Sequence, residues 1–102
     1  MKRVVMVLAL FAVVMLITVG AQAESKGEQV FKKKCAMCHV VMGQGGSIGP
    51  ELTKVASKLK DKDLKEKLDN PKKTNPTSLM PSFKTLPKAE MDSLLGYLKT
   101  LK

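Results

Sequence analysis

Hydrophobic positions along the chain form one long apolar run followed by four short helical periods. The run is Val4 to Val19, broken only by Thr18. The first period covers Lys26 to Lys34, where Gly27, Val30, Phe31 and Lys34 fall on neighbouring turns. Ser25 and Glu28 precede it as S-x-x-E, the pattern of a capping box. Glu51 to Lys58 predicts a short second helix, with Leu52, Val55 and the adjoining Leu59 on its apolar side. A third helix is expected over Asp61 to Asp69, with Leu64 and Leu68 four apart and Asn70-Pro71 as its stop. Pro87 is expected to open the last helix from its first position. Its Met91, Leu94, Leu95, Leu98 and Leu101 follow the i, i+3, i+4, i+7 template. Two segments lack any period. Val40 to Pro50 holds four glycines, and Pro71 to Pro87 holds four prolines. No alternating run is long enough for a strand, and nothing repeats. The expected class is all-α.

Length and composition refine this picture. The 102 residues suffice for one domain and not two. Lys2 and Arg3 ahead of the apolar run, and Ala21-Gln22-Ala23 behind it, have the grammar of a secretory signal peptide cut after Ala23. Residues 1–23 are therefore expected to be removed, leaving a 79-residue domain, 24–102, in the periplasm. An uncleaved membrane anchor is the alternative, although the run falls short of the ~20 residues that a span requires. The domain carries 16 lysines, no arginine and nine acids, a formal charge of +7. Export and the lack of arginine argue against nucleic acid, which leaves an acidic protein partner or simple solubility. With Phe31, Phe83 and Tyr97 as its only aromatics, so small a domain needs a cofactor or metal to complete its core.

Cys35-Ala36-Met37-Cys38-His39 is C-x-x-C-H, the attachment pattern of c-type haem. Two thiols three residues apart at a helix end can reach two neighbouring vinyl groups, and the next residue can present its imidazole to the iron. A structural zinc site would need four ligands, and two cysteines with a single histidine fall short. A thioredoxin-like pair would need a βαβ context, and a plain disulfide leaves His39 unexplained. Because no second histidine exists, the sixth ligand is expected to be a methionine. Met37 and Met42 lie too near His39 to reach the opposite face, and Met91 belongs to the apolar stripe of the last helix. Met80, in Leu79-Met80-Pro81-Ser82-Phe83, is the candidate, with Pro81 stiffening its loop.

These residues resemble the small class I (His/Met) bacterial cytochromes c, over nearly the whole of 24–102. Gly27, Phe31, Cys35, Cys38 and His39 match the G-x-x-x-F-x-x-x-C-x-x-C-H opening. Gly49-Pro50-Glu51-Leu52 is similar to G-P-x-L, Met80-Pro81-Ser82-Phe83 to M-P-x-F, and Leu94-Leu95-Gly96-Tyr97-Leu98 to the last helix, which crosses the first near its glycine and aromatic. The resemblance implies a small class I fold, about four short helices wrapped around one covalent haem. It implies that the Pro50 carbonyl accepts a hydrogen bond from His39, and that iron is held by His39 and Met80. The chain departs from the pattern at Pro87, where Ser or Thr is usual, and in the short stretch from Leu52 to Met80, which suggests an exposed haem edge.

The function implied is single-electron transfer rather than catalysis, since both axial positions are filled. Phe31, Leu52, Leu64, Leu68, Leu79, Phe83, Leu94 and Leu98 are the expected apolar shell. Lys32, Lys33, Lys34, Lys72, Lys73, Lys84 and Lys88 are expected near the haem edge, steering a monomer towards acidic redox partners. A haem enzyme or gas sensor with a labile Met80, and a detached subunit of a larger oxidoreductase, are the alternatives.

Overall fold

The computed structural model describes residues 24–102, so the expected signal segment, 1–23, lies outside the described residues. The chain order is α1 (Lys26–Lys34), β1 (Val40–Val41), β2 (Gln44–Gly45), α2 (Val55–Lys58), α3 (Asp61–Asp69) and α4 (Lys88–Lys99).

Helix α1 starts where Ser25 leaves extended geometry and its hydroxyl accepts the Glu28 N–H at 3.1 Å. Only this half of the expected capping box is made. Lys32, Lys33 and Lys34 close the helix, where the carbonyl end of the dipole favours positive charge. Phe31 and Gly27 face inwards onto α4. The two helices touch so closely at Gly27 that a Cβ there would lie 2.0 Å from the Ser93 carbonyl oxygen and 2.7 Å from Tyr97 Cβ. One turn on, the Phe31 and Tyr97 rings meet at 5.5 Å and 59°. The glycine of the crossing is therefore Gly27 and not Gly96, whose own Cβ would meet nothing.

Along α4 the predicted stripe is buried at Met91, Leu94, Leu98 and, just past the helix end, Leu101. Leu94 is fully enclosed. Leu64 and Leu68 of α3 and Val55 of α2 complete one core around α4. The Leu101 carbonyl also accepts the Ala56 N–H at 2.7 Å, tying the chain end to α2. Pro87 stands one residue earlier than expected, at the cap rather than inside the helix, and its carbonyl takes the Met91 N–H at 2.9 Å.

Two departures concern the glycine-rich segment. It contains a small antiparallel hairpin, Val40 opposite Gly45 and Val41 opposite Gln44, turning through Met42 (φ 50°) and Gly43 (φ 79°). The second helix is shorter than predicted, because Leu52 and Thr53 are tied to that hairpin. The Leu52 N–H bonds to the Val40 carbonyl at 2.8 Å and Thr53 Oγ1 accepts the Met42 N–H at 2.9 Å.

From Asn70 to Pro87 there is no helix or strand, as the prolines require. Bonds to the last carbonyls of α3 pin this loop, besides the Lys67–Thr74 and Lys73–Glu66 side-chain contacts. The Phe83 N–H donates to the Leu68 carbonyl at 2.8 Å, and the Ser82 hydroxyl donates to the Asp69 carbonyl at 2.6 Å.

Candidate haem site

Cys35 caps α1 and starts a further tight turn, with the Cys38 N–H at 3.1 Å and the His39 N–H at 3.0 Å both directed to the Cys35 carbonyl. The turn brings Cys35, Cys38 and His39 to one wall of a cleft of about 620 Å³. Cys35 is buried and Cys38 half-buried. Burial, with Cys38 as the lesser cause, pushes the Cys35 thiol up to about 11. Among the described residues no three His, Cys, Asp or Glu converge, so the zinc alternative lacks a site.

The imidazole of His39 is fixed from two directions. Its Nδ1 lies 2.8 Å from the Pro50 carbonyl oxygen. A carbonyl can only accept, so Nδ1 bears a proton, and in the neutral tautomer this selects, Nε2 is the nitrogen with the lone pair. Beneath the ring runs Gly49, where a Cβ would stand 2.5 Å from His39 Cε1, so any larger residue would displace the imidazole. The Gly49 N–H closes this loop on the Cys38 carbonyl at 2.6 Å.

Met80 and Leu79 reach the same cleft from the 70–87 loop. The Met80 N–H donates to Ser78 Oγ at 3.2 Å, and its side chain is half-buried against the core. Met91 packs in the core and does not line the cleft, while Met37 and Met42 point to solvent, 82% and 75% exposed. Of the expected apolar shell, Leu52, Leu64, Leu68, Phe83 and Leu98 line the cleft. Leu79 does so from its rim, 89% exposed. Phe31 and Leu94 do not; they belong to the contact between α1 and α4.

Other residues at the cleft lie outside the shell expected from the sequence. Ile48, Val55 and Leu59 add apolar wall, and Lys58 and Lys67 add charge beside Lys34. Glu51 is the one acid on the lining. Ile48 sits in a segment without period, and nothing local distinguishes Lys58 or Lys67 from the other lysines. Three of the seven lysines expected at the haem edge are held in ion pairs: Lys32 with Glu24, Lys73 with Glu66 and Lys88 with Asp92. Lys33, Lys34, Lys72 and Lys84 make no such pair among the described residues.

Paired thiols, an imidazole with a free Nε2, a thioether and mostly apolar walls suit an iron porphyrin in both donor set and size. The comparison with known families decides the matter, for the cytochrome c family model matches residues 24–102, every described residue. The chain belongs to the cytochrome c family. Cytochromes c bind haem c covalently, with iron at its centre, and the family's work is haem-based electron transfer. The chain is also similar to the cytochrome c oxidase subunit 2 of Alkalihalophilus pseudofirmus, 30% identical over 87 residues. That match covers 76% of this chain and 25% of the relative, so the cytochrome spans about a quarter of that subunit's length. No helix among the described residues is long and apolar enough to cross a membrane.

Proposed function

We propose that the protein is a class I, His/Met-ligated cytochrome c that shuttles single electrons in the periplasm and is not an enzyme. The observation that carries this reading is the orientation of His39, whose Nδ1 proton is engaged by Pro50 while Nε2 is left for iron. Cys35 and Cys38, on the same wall, are the residues that would hold the cofactor by two thioethers. Met80, from the facing loop, would fill the sixth position. The haem supplies a one-electron ferric/ferrous couple.

The chain's own residues make that couple usable. The Pro50 carbonyl raises the basicity of His39 by accepting the hydrogen bond that its Nδ1–H donates. Leu52, Leu64, Leu68, Phe83 and Leu98 keep water from the ring, and a dry surround resists charge on the iron. The Met80 thioether is the group that would hold the iron opposite His39, where it would favour the ferrous form and occupy the position a substrate would need. The exposed rim at Ile48 and Leu79, with Lys33, Lys34, Lys72 and Lys84 in reach of an acidic surface, supports weak docking with redox partners. Export is proposed through residues 1–23, cut after Ala23.

A haem stain that stays on the ~9 kDa polypeptide through denaturing, reducing electrophoresis is the expected result; each residue contributes roughly 110 Da over 79 residues. Haem lost from the band would refute the two thioethers. The oxidase-subunit relative favours a second reading, in which the chain works as a bound component of a larger oxidoreductase. Copurification with a partner chain at physiological salt would select it.

A further inference from the structure

Thr53 lies outside every cofactor contact described above, yet it joins the two segments that hold His39. The hairpin begins immediately after His39, and the strap carrying Pro50 runs alongside it. The strap is tied to the hairpin by the Leu52 N–H on the Val40 carbonyl at 2.8 Å, and to the turn just before His39 by the Gly49 N–H on the Cys38 carbonyl at 2.6 Å. The third link is a side chain. Thr53 Oγ1 accepts the Met42 N–H at 2.9 Å and donates its own proton to Glu51 Oε1 at 3.0 Å. The hydroxyl thus spans hairpin and strap, three residues past the carbonyl that holds the imidazole.

The hairpin needs such a link. Met42 adopts φ 50°, a left-handed backbone that a residue with a side chain takes up only under constraint. Its amide is the atom that Thr53 holds. Leu52 is tied to the same hairpin, so a shift of the turn is transmitted along 50–53 to Pro50. Its carbonyl is the partner of His39 Nδ1, and the strength of that bond sets how basic the imidazole is.

We infer that Thr53 is a positioning residue for His39: its hydroxyl locks the hairpin to the Pro50 strap and thereby helps to set the reduction potential. This rests on the reading of His39 as an iron ligand. A weaker Nδ1–H bond makes a less basic imidazole, which stabilises ferric iron less, so loss of the hydroxyl raises the potential.

The test uses covalently loaded holoprotein carrying Thr53→Val, which keeps the shape without the hydroxyl, and Thr53→Ser, which keeps the hydroxyl. Exchange of the His39 Nδ1 proton is followed by NMR in the reduced state, and the midpoint potential by optical titration. In Thr53→Val the proton is expected to exchange about tenfold faster, the worth of one hydrogen bond, and the potential to rise. Thr53→Ser should return both to wild-type values. A Thr53→Val protein that melts earlier but keeps wild-type exchange and potential would reduce Thr53 to a fold contact and overturn the inference. Wild-type His39 ring protons without the displacement of an imidazole seated on haem would instead remove the ligation reading, and the role of Thr53 with it.

Discussion

His39 is oriented by its neighbours, with Pro50 at its Nδ1 and Gly49 closing the space beneath the ring. Met80 is held more lightly, by Ser78 at its backbone and by a loop pinned at Ser82 and Phe83. The two methionines Met80 and Met91 therefore predict opposite phenotypes. Met80→Ala should keep the haem attached, lower the potential and open the sixth position to added ligands, as an optical titration would register. Met91→Ala empties a core site that is 6% exposed, so it should cost about 2–5 kcal/mol of stability and leave the spectrum alone. Met42 offers a third substitution. Its left-handed turn position, followed by Gly43, is one that Asn fills better, so Met42→Asn should raise the unfolding free energy by up to about 1 kcal/mol in denaturant titration.

At the level of elements, α1 and α4 were legible because each repeats its apolar positions at the helical period and buries them on the other. Which glycine permits their contact was not legible, since that depends on the crossing point. Gly27→Ala should force the helices apart and cost about 1–3 kcal/mol, because a Cβ would stand 2.0 Å from a backbone oxygen. Gly96→Ala meets open space and should gain about 0.5–1 kcal/mol through helix propensity alone. Thermal melts of the two variants separate these signs. The hairpin escaped notice for a different reason. Its strands are two residues each, too short for alternation, and Met42-Gly43 lacks the Asn or Asp that usually marks such a turn. The second helix starts late because Leu52 and Thr53 are tied to the hairpin, a tertiary effect that the spacing of Leu52 and Val55 cannot reveal.

For the whole molecule, the C-x-x-C-H centre was legible because its chemistry is contiguous in sequence. The Met80 side of the cleft could be named only by eliminating other methionines. Lys58, Lys67 and Thr53 could not be named, since their places arise when α2, α3 and the hairpin fold together. The charge distribution gives a further expectation. The +7 excess remains, but ion pairs occupy Lys32, Lys73 and Lys88, which concentrates steering on Lys33, Lys34, Lys72 and Lys84. The second-order rate of electron exchange with an acidic partner should fall steeply between low and physiological ionic strength. Charge removal at Lys72 or Lys84 should slow it at low salt more than removal at Lys32.

A closed, six-coordinate haem held by His39 and Met80 and exchanging one electron at a time can be checked by optical redox titration of the purified holoprotein. The wild type should follow a single one-electron curve. Its oxidised form should carry the weak sulfur-to-iron band at the red end of the visible spectrum, and its reduced form should ignore carbon monoxide. A high-spin spectrum without that band, together with ready binding of carbon monoxide, would contradict the claim and favour a haem sensor or enzyme.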